Sequence, residues 1–211
     1  MSETVLYDYW RSTASYRVRI ALNLASIDYR SVTVNLLEGE HREKTHLSRN
    51  PQGLVPVLEI DGIQLTQSLA IIEYLNETRD LHLLPASEKE KAKIRAMAYS
   101  IAMDLHPVCN LRVAKHAASA SGDHIQIKDW MTHFIYQGLT EFEQIINGPD
   151  FCFGDKLSMV DLCIVPQIYN AMRWGIDLSK FQKIVSIYQN LADHPAFLAA
   201  HPEQSSDRPG S

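Results

Sequence analysis

Apolar and polar positions alternate over 29–35, strand-like apolar runs occupy 4–9 and 57–60, and apolar positions recur with a helical period over 13–25 and 68–79. The first 85 residues therefore read as strands interleaved with helices. A short polar helix is expected near 38–48, an Asp61-Gly62 turn follows the strand at 57–60, and a further short strand runs to Leu65. The order is βαβ followed by ββα. After Leu84-Pro85-Ala86-Ser87 the period of two disappears, and helical patterns fill about 88–117, 126–147, 158–173 and 180–193. The tail from His201 is polar and carries Pro, Ser and Gly, as loose termini do. These patterns predict an α/β domain over 1–85 and an all-helical domain over 88–211, without internal repeats.

Composition narrows the functional classes. With 211 residues and 45% hydrophobic content the chain can form packed cores. No apolar run approaches the roughly 18 residues of a spanning helix, and no basic-then-apolar leader opens the sequence, so the cytoplasm is the expected compartment and a membrane partner is not expected. The net charge is −5 with scattered basic residues, which argues against nucleic acid as a partner. Cys109, Cys152 and Cys163 lack metal-ligand spacing and read as reduced, buried thiols. Histidines such as His41, His46 and His201 stand in polar segments and read as solvated. No metal is expected.

Candidate chemistry starts at Arg11-Ser12-Thr13-Ala14-Ser15, where a strand feeds a helix whose first turn is lined with hydroxyls. Free N–H groups and the positive end of the helix dipole favour an anion there: a phosphate, a carboxylate or a thiolate. In Asn50-Pro51-Gln52-Gly53-Leu54-Val55-Pro56, the last proline stands just before a strand and marks an edge, a strand start or a cis bond. Ser68 reads as the N-cap of the next helix, with Gln67 beside it. Ser158 and Asp161 form a variant capping box, so Asp161 reads as structural rather than as a catalytic acid. Trp130, Phe134 and Phe142 fall at helical spacing and read as core or interface.

Tyr-Trp-Arg-Ser after the first strand, Arg-Val-Arg-Ile-Ala-Leu on the first helix, Val55-Pro56, Gln67-Ser68 with Ile-Ile-Glu-Tyr-Leu, and a later Val-Asp-Leu together resemble the zeta class of glutathione transferases, from about Val5 to Pro202. The resemblance implies the glutathione transferase fold, a thioredoxin-like first domain followed by an all-helical second one, and a cis Val55-Pro56 bond. It also implies that the Val55 backbone binds the cysteinyl part of glutathione while Gln67 and Ser68 hold its γ-glutamyl end. Ser12 stands where zeta proteins carry the thiol-activating serine, with Thr13 and Arg11 beside it in the catalytic group and Tyr9 as the rival activator. A free thiol titrates near roughly 8.5, so neutral-pH reactivity needs donors and positive potential of this kind. Many zeta proteins have a cysteine where this chain has Ala14, and no cysteine precedes residue 109. The reactive sulfur must then come from the ligand, and dithiol redox chemistry is excluded.

The activity the resemblance implies is glutathione-dependent cis–trans isomerisation of maleylacetoacetate, an acidic diketo acid of aromatic amino acid breakdown, by a homodimer. Arg11, Arg112 and Arg173 are the candidates for its carboxylates and developing enolate, since the planar guanidinium suits both. His106 and Asn110 are expected to face the glutathione cleft. Maleylpyruvate isomerisation, transfer to small α-haloacids, and a noncatalytic transferase-like binding module are the alternatives. Retention of Ser12, Gln67 and Ser68 favours the enzyme over the module.

Overall fold

A computed structural model describes residues 3–205 and divides the chain into two compact units: residues up to His82 together with those from Asp193 onward, and Leu83–Ala192. The sequence boundary at 85 lies close to the first division. The second differs from the expected helical domain over 88–211, because the segment from Asp193 joins the first unit.

In the first unit, four strands form a mixed sheet of order β2-β1-β3-β4, with β1 Val5–Asp8, β2 Arg30–Thr33, β3 Val57–Ile60 and β4 Ile63–Thr66. β1 is buried along its whole length, as a central strand reading Val-Leu-Tyr-Asp requires, and runs parallel to β2 and antiparallel to β3. The β3–β4 hairpin turns on Asp61 and Gly62, with φ of 53° and 79°. Two successive positive φ values match the twist of the flanking strands, which is why Asp-Gly stands there.

Helix α1 is Thr13–Leu24, α2 the short Lys44–Leu47 within the expected polar helical stretch, and α3 Ser68–Thr78; α1 packs against α3 and against α10, Pro195–Ala200. Every residue from Ser15 to Leu22 is buried, Arg17 and Arg19 included. Arg19 Nη1 pairs with Asp8 at 2.6 Å, its Nη2 donates to the Trp10 carbonyl and its Nε to the Ala200 carbonyl, both at 3.0 Å. Asn23 donates to the Ala196 carbonyl at 3.0 Å. These donors satisfy carbonyls along α10, so a stretch too short to show a convincing period is folded by contacts far away in sequence. The tail from His201 also departs from expectation. Pro202–Gln204 form a 3-10 turn capped by His201, whose half-buried ring meets Tyr16 edge-on at 5.9 Å. The rest of the tail lies outside the described residues.

The second unit holds α4 Glu88–Tyr99, α5 His106–Val108, α6 Leu111–Ala120, α7 Ile127–Ile145, α8 Met159–Arg173 and α9 Gln182–Ala192. The single pattern over 88–117 is broken into pieces. A wide π-helical turn, Ser100–Leu105, follows α4, Pro107 has no N–H to continue the ladder, and Asn110 caps a new helix by accepting the Arg112 N–H at 3.0 Å. Trp130 on α7 donates to the Val108 carbonyl at 2.9 Å and its ring lies tilted against Phe134 at 4.7 Å, while Phe142 is fully in the core.

α8 is buried from Met159 to Ala171, and its start is fixed by the expected capping box. Asp161 accepts from the Ser158 N–H at 2.8 Å, the Ser158 hydroxyl at 2.9 Å and the Cys152 N–H at 2.8 Å. Burial pushes this carboxyl above its ordinary range, against the pull of those hydrogen bonds. No helix among the described residues is long and apolar enough to cross a membrane.

Asp161→Ala strands two buried N–H groups and should destabilise the second unit by about 2–4 kcal/mol in urea unfolding, against about 1 kcal/mol for Ser158→Ala. Equal, sub-kcal/mol losses would show that the box does not hold α8. All three cysteines are buried, and burial raises the Cys109 thiol to about 12 and the Cys152 thiol well above its ordinary value. The folded protein at pH 8 should therefore give no fast thiol titration with a disulfide reagent, and denaturant should release all three cysteines.

Candidate functional site

The sheet register decides which segments meet. Tyr7 on β1 lies opposite Val57 on β3, and Val57 lies opposite Thr66 on β4. The end of β1, the beginning of β3 and the end of β4 therefore share one end of the sheet. The chain leaving β1 carries Arg11 and Ser12, the chain entering β3 carries Val55, and the chain leaving β4 carries Gln67 and Ser68. Three segments far apart in sequence are brought together by strand pairing alone.

Ser12 is the N-cap of α1, half-exposed, and its Oγ accepts the Ser15 N–H at 3.1 Å. That bond uses an oxygen lone pair and leaves the hydroxyl hydrogen free to donate, so capping and anion stabilisation coexist on one oxygen. The α1 N-terminus adds positive potential equivalent to roughly half a charge. Thr13 is buried at the first helical position. Tyr9 is buried with its ring tilted against Trp10 at 6.2 Å, whereas the exposed Arg11 lays its guanidinium over Trp10 at 4.1 Å.

At α3 the structure corrects the expected cap. Gln67, not Ser68, is the N-cap residue, and its side chain makes no capping bond. Gln67 has φ 68° and ψ 111°, a conformation that costs a non-glycine residue on the order of 1–3 kcal/mol. This turn starts the helix one residue earlier and leaves the first N–H groups of α3 without a side-chain partner. Ser68 lies behind them as the first helical residue, buried, with its Oγ accepting from Arg17 Nη1 at 3.2 Å. The exposed Gln67 carboxamide donates to Gln52 at 2.9 Å. An uncapped helix start beside a buried guanidinium suits a carboxylate.

Val55 precedes a cis proline, Pro56. Its N–H and C=O meet no hydrogen-bond partner among the described residues. The loop before it is tightly built. The Leu54 carbonyl accepts from Asn50 Nδ2 at 2.9 Å and lies 3.0 Å from His46 Nε2, and both side chains are buried. His46 is thus not a solvated residue: its sequence neighbours are polar, but the loop needs its ring as a donor. His41 is partly buried and its pKa is lowered by that burial. Gly53, at φ 62°, has no room for a side chain, since a Cβ there would stand 2.8 Å from the His41 carbonyl.

Arg17, His46 and Asn50 were not among the expected site residues. Arg17 and Arg19 fall on nearly opposite sides of one helix, so the spacing turns at least one guanidinium inward without telling which. Nothing local marked His46.

The remaining expected residues belong to the second unit. His106 opens α5, Asn110 caps α6, Arg112 is exposed on α6 rather than on one long first helix, and Arg173, also exposed, ends α8 with its guanidinium 5.9 Å from the Tyr169 ring. Among the described residues no group of three or more His, Cys, Asp or Glu is placed to hold a metal ion.

Residues 2–77 match the family model described as glutathione S-transferase, N-terminal domain. The chain is 54% identical over 209 residues to the maleylacetoacetate isomerase of Rhizobium meliloti, an alignment covering 97% of this chain and 98% of that protein. Among solved structures, a holo maleylpyruvate isomerase described as a bacterial zeta-class glutathione transferase superposes with a TM-score of 0.91 at 34% identity, over 96% of this chain and 99% of that one. The maleylacetoacetate isomerase of Methylobacterium extorquens AM1, solved with malonate and glutathione bound, gives 0.90 at 34% identity, over 95% and 97%. The hydroxyl-lined start of α1, the cis proline before β3 and the uncapped start of α3 are thus set in a chain that belongs to the zeta class of glutathione transferases, the family of the maleylacetoacetate isomerases.

Proposed function

We propose that the protein is a glutathione-dependent cis–trans isomerase acting on maleylacetoacetate. The observation that carries this reading is the register that sets Ser12, Val55 and the Gln67–Ser68 turn at one end of the sheet. Those groups match the three parts of glutathione in kind: a hydroxyl donor at a helix start for the thiolate, an unpaired backbone edge for the peptide, and an uncapped helix start for the γ-glutamyl carboxylate. Bound glutathione would supply a thiolate that adds to the cis double bond, leaves a single bond free to rotate, and is expelled as the trans isomer forms.

Within this reading Ser12 donates its hydroxyl hydrogen toward the sulfur while keeping its bond to the Ser15 N–H. Thr13 adds its N–H to the same helix start, and Arg11, held over Trp10, faces the charged end of the substrate. Arg112 and Arg173 hold the substrate carboxylates. His106 and Asn110 line the glutathione side, with Asn110 offering its amide NH₂ because its oxygen is committed to the Arg112 N–H. The domain roles follow: the first unit binds glutathione and the second supplies the substrate pocket. The protein is taken to act as a homodimer in the cytoplasm, and sedimentation at micromolar concentration would check the dimer.

Maleylacetoacetate is preferred to the shorter maleylpyruvate because the relative named for it is 54% identical over nearly the whole chain, against 34% for the maleylpyruvate isomerase structure. Turnover of the two cis-diketo acids by purified protein with glutathione tests the choice. Equal or better efficiency on maleylpyruvate would reverse it, and no turnover of either would leave the noncatalytic binding module.

Ser12→Ala should raise the apparent pKa of bound glutathione and reduce turnover by on the order of 10²-fold, with smaller effects from Thr13→Ala and Tyr9→Phe. A pH–rate series in which Tyr9→Phe is the most damaging would move the role to Tyr9. Replacing Arg112 or Arg173 with Met should lower kcat/KM for the diketo acid about ten- to a hundredfold with glutathione affinity nearly unchanged. Wild-type efficiency in both Met variants would mark these arginines as surface charges.

A further inference from the structure

We propose that His46 is a positioning residue which, with Asn50, aims the Val55 N–H at the peptide backbone of the ligand. The inference rests on the reading that Val55 pairs with the cysteinyl part of glutathione, and adds residues that reading does not include.

Leu54 C=O is approached by His46 Nε2 at 3.0 Å and by Asn50 Nδ2 at 2.9 Å, so both of its lone pairs are used. A carbonyl only accepts, so Nε2 must carry the ring proton. His46 and Asn50 are 2% and 4% exposed, and neither bond is easily exchanged for water. The oxygen is thereby pinned inward.

The same peptide unit carries the Val55 N–H. Val55-Pro56 is the one cis bond among the described residues, so the Leu54–Val55 bond is trans and its C=O and N–H point in opposite directions. Pinning the oxygen inward turns the N–H outward, where it has no acceptor among the described residues. Rotation of this peptide plane, about Leu54 ψ and Val55 φ, is the motion that would spoil the site. Two donors on one oxygen oppose that rotation. Asn50 tightens the loop further, as its Oδ1 accepts the Gln52 N–H at 3.1 Å and its backbone C=O the Gly53 N–H at 2.8 Å. The ligand then meets an N–H already oriented and loses less freedom on binding.

The test separates aiming from packing. His46→Leu fills the space without a donor, and His46→Gln restores an N–H at similar reach. In calorimetric titration with S-methylglutathione, His46→Leu should bind about tenfold more weakly than the wild type, and its KM for glutathione should rise similarly with kcat within about threefold. His46→Gln should recover most of the loss. Asn50→Asp, which sets an acceptor against the carbonyl, should weaken binding in the same direction, and carries the test if His46→Leu does not fold. A folded His46→Leu protein that binds within about twofold of wild type would overturn the proposal, as would His46→Gln failing as badly as His46→Leu. Failure of the wild type to bind S-methylglutathione would instead overturn the glutathione site itself.

Discussion

Two guanidinium groups are buried on one helix, and much of the first unit is arranged to satisfy them. Removing an ion from water costs on the order of several kcal/mol even after relaxation, so Arg17 and Arg19 are tolerated only with partners in place. Arg19 reaches toward β1 and the C-terminal segment, where Asp8 neutralises it and the Trp10 and Ala200 carbonyls take its other donors. Arg17 reaches toward α3 and Ser68. Because Trp10 lies two residues before Ser12, the Arg19 bond that ties down its carbonyl also restrains the loop presenting the Ser12 hydroxyl. The same helix start thus has its entry fixed by one arginine and its neighbour across the sheet end fixed by the other.

The electrostatic consequence is a one-sided distribution of donors. At one end of the sheet the chain presents the α1 N-terminus, the start of α3 without a side-chain cap, and the Val55 N–H. Each is a backbone group rather than a mobile side chain, so little reorganisation is needed when an anion or a peptide edge arrives. Gln67 is held in a strained conformation at this same end. Such strain persists only where surrounding structure over-determines it, and here the β4 ladder flanks Gln67 on one side and the Arg17–Ser68 bond on the other.

Much of this was legible in the sequence, for identifiable physical reasons. The strand at 57–60, the Asp61-Gly62 turn and the Ser158–Asp161 box are local signals, decided by residues within a few positions of one another, and each is found where the pattern set it. What escaped depends on partners distant in sequence. α10 is only Pro195–Ala200 and is held by Arg19 and Asn23, more than 170 residues away in sequence, so no window around it carries the signal. The break in the 88–117 helix did have a local mark in Pro107, but the apolar period continues through it and masks the interruption. His46 has polar sequence neighbours, whereas its environment is set by a carbonyl eight residues on.

The cysteines of this chain stand away from the α1 start. A helix N-terminus that stabilises an anion would lower the pKa of any thiol placed on it, and a resident cysteine at position 14 would be activated beside the ligand's sulfur. This chain carries Ala14 there, and its own thiols lie elsewhere in buried surroundings that raise those of Cys109 and Cys152. The positive potential at α1 is therefore left for a sulfur that arrives with the ligand, and Ser12 contributes a donor that cannot itself compete as a thiolate. On the proposed isomerase reading this separation matters, because the sulfur must add to the substrate and leave again unchanged. A protein thiol at the same position would offer a second nucleophile and a partner for a mixed disulfide, and the substitution of a methyl group removes both.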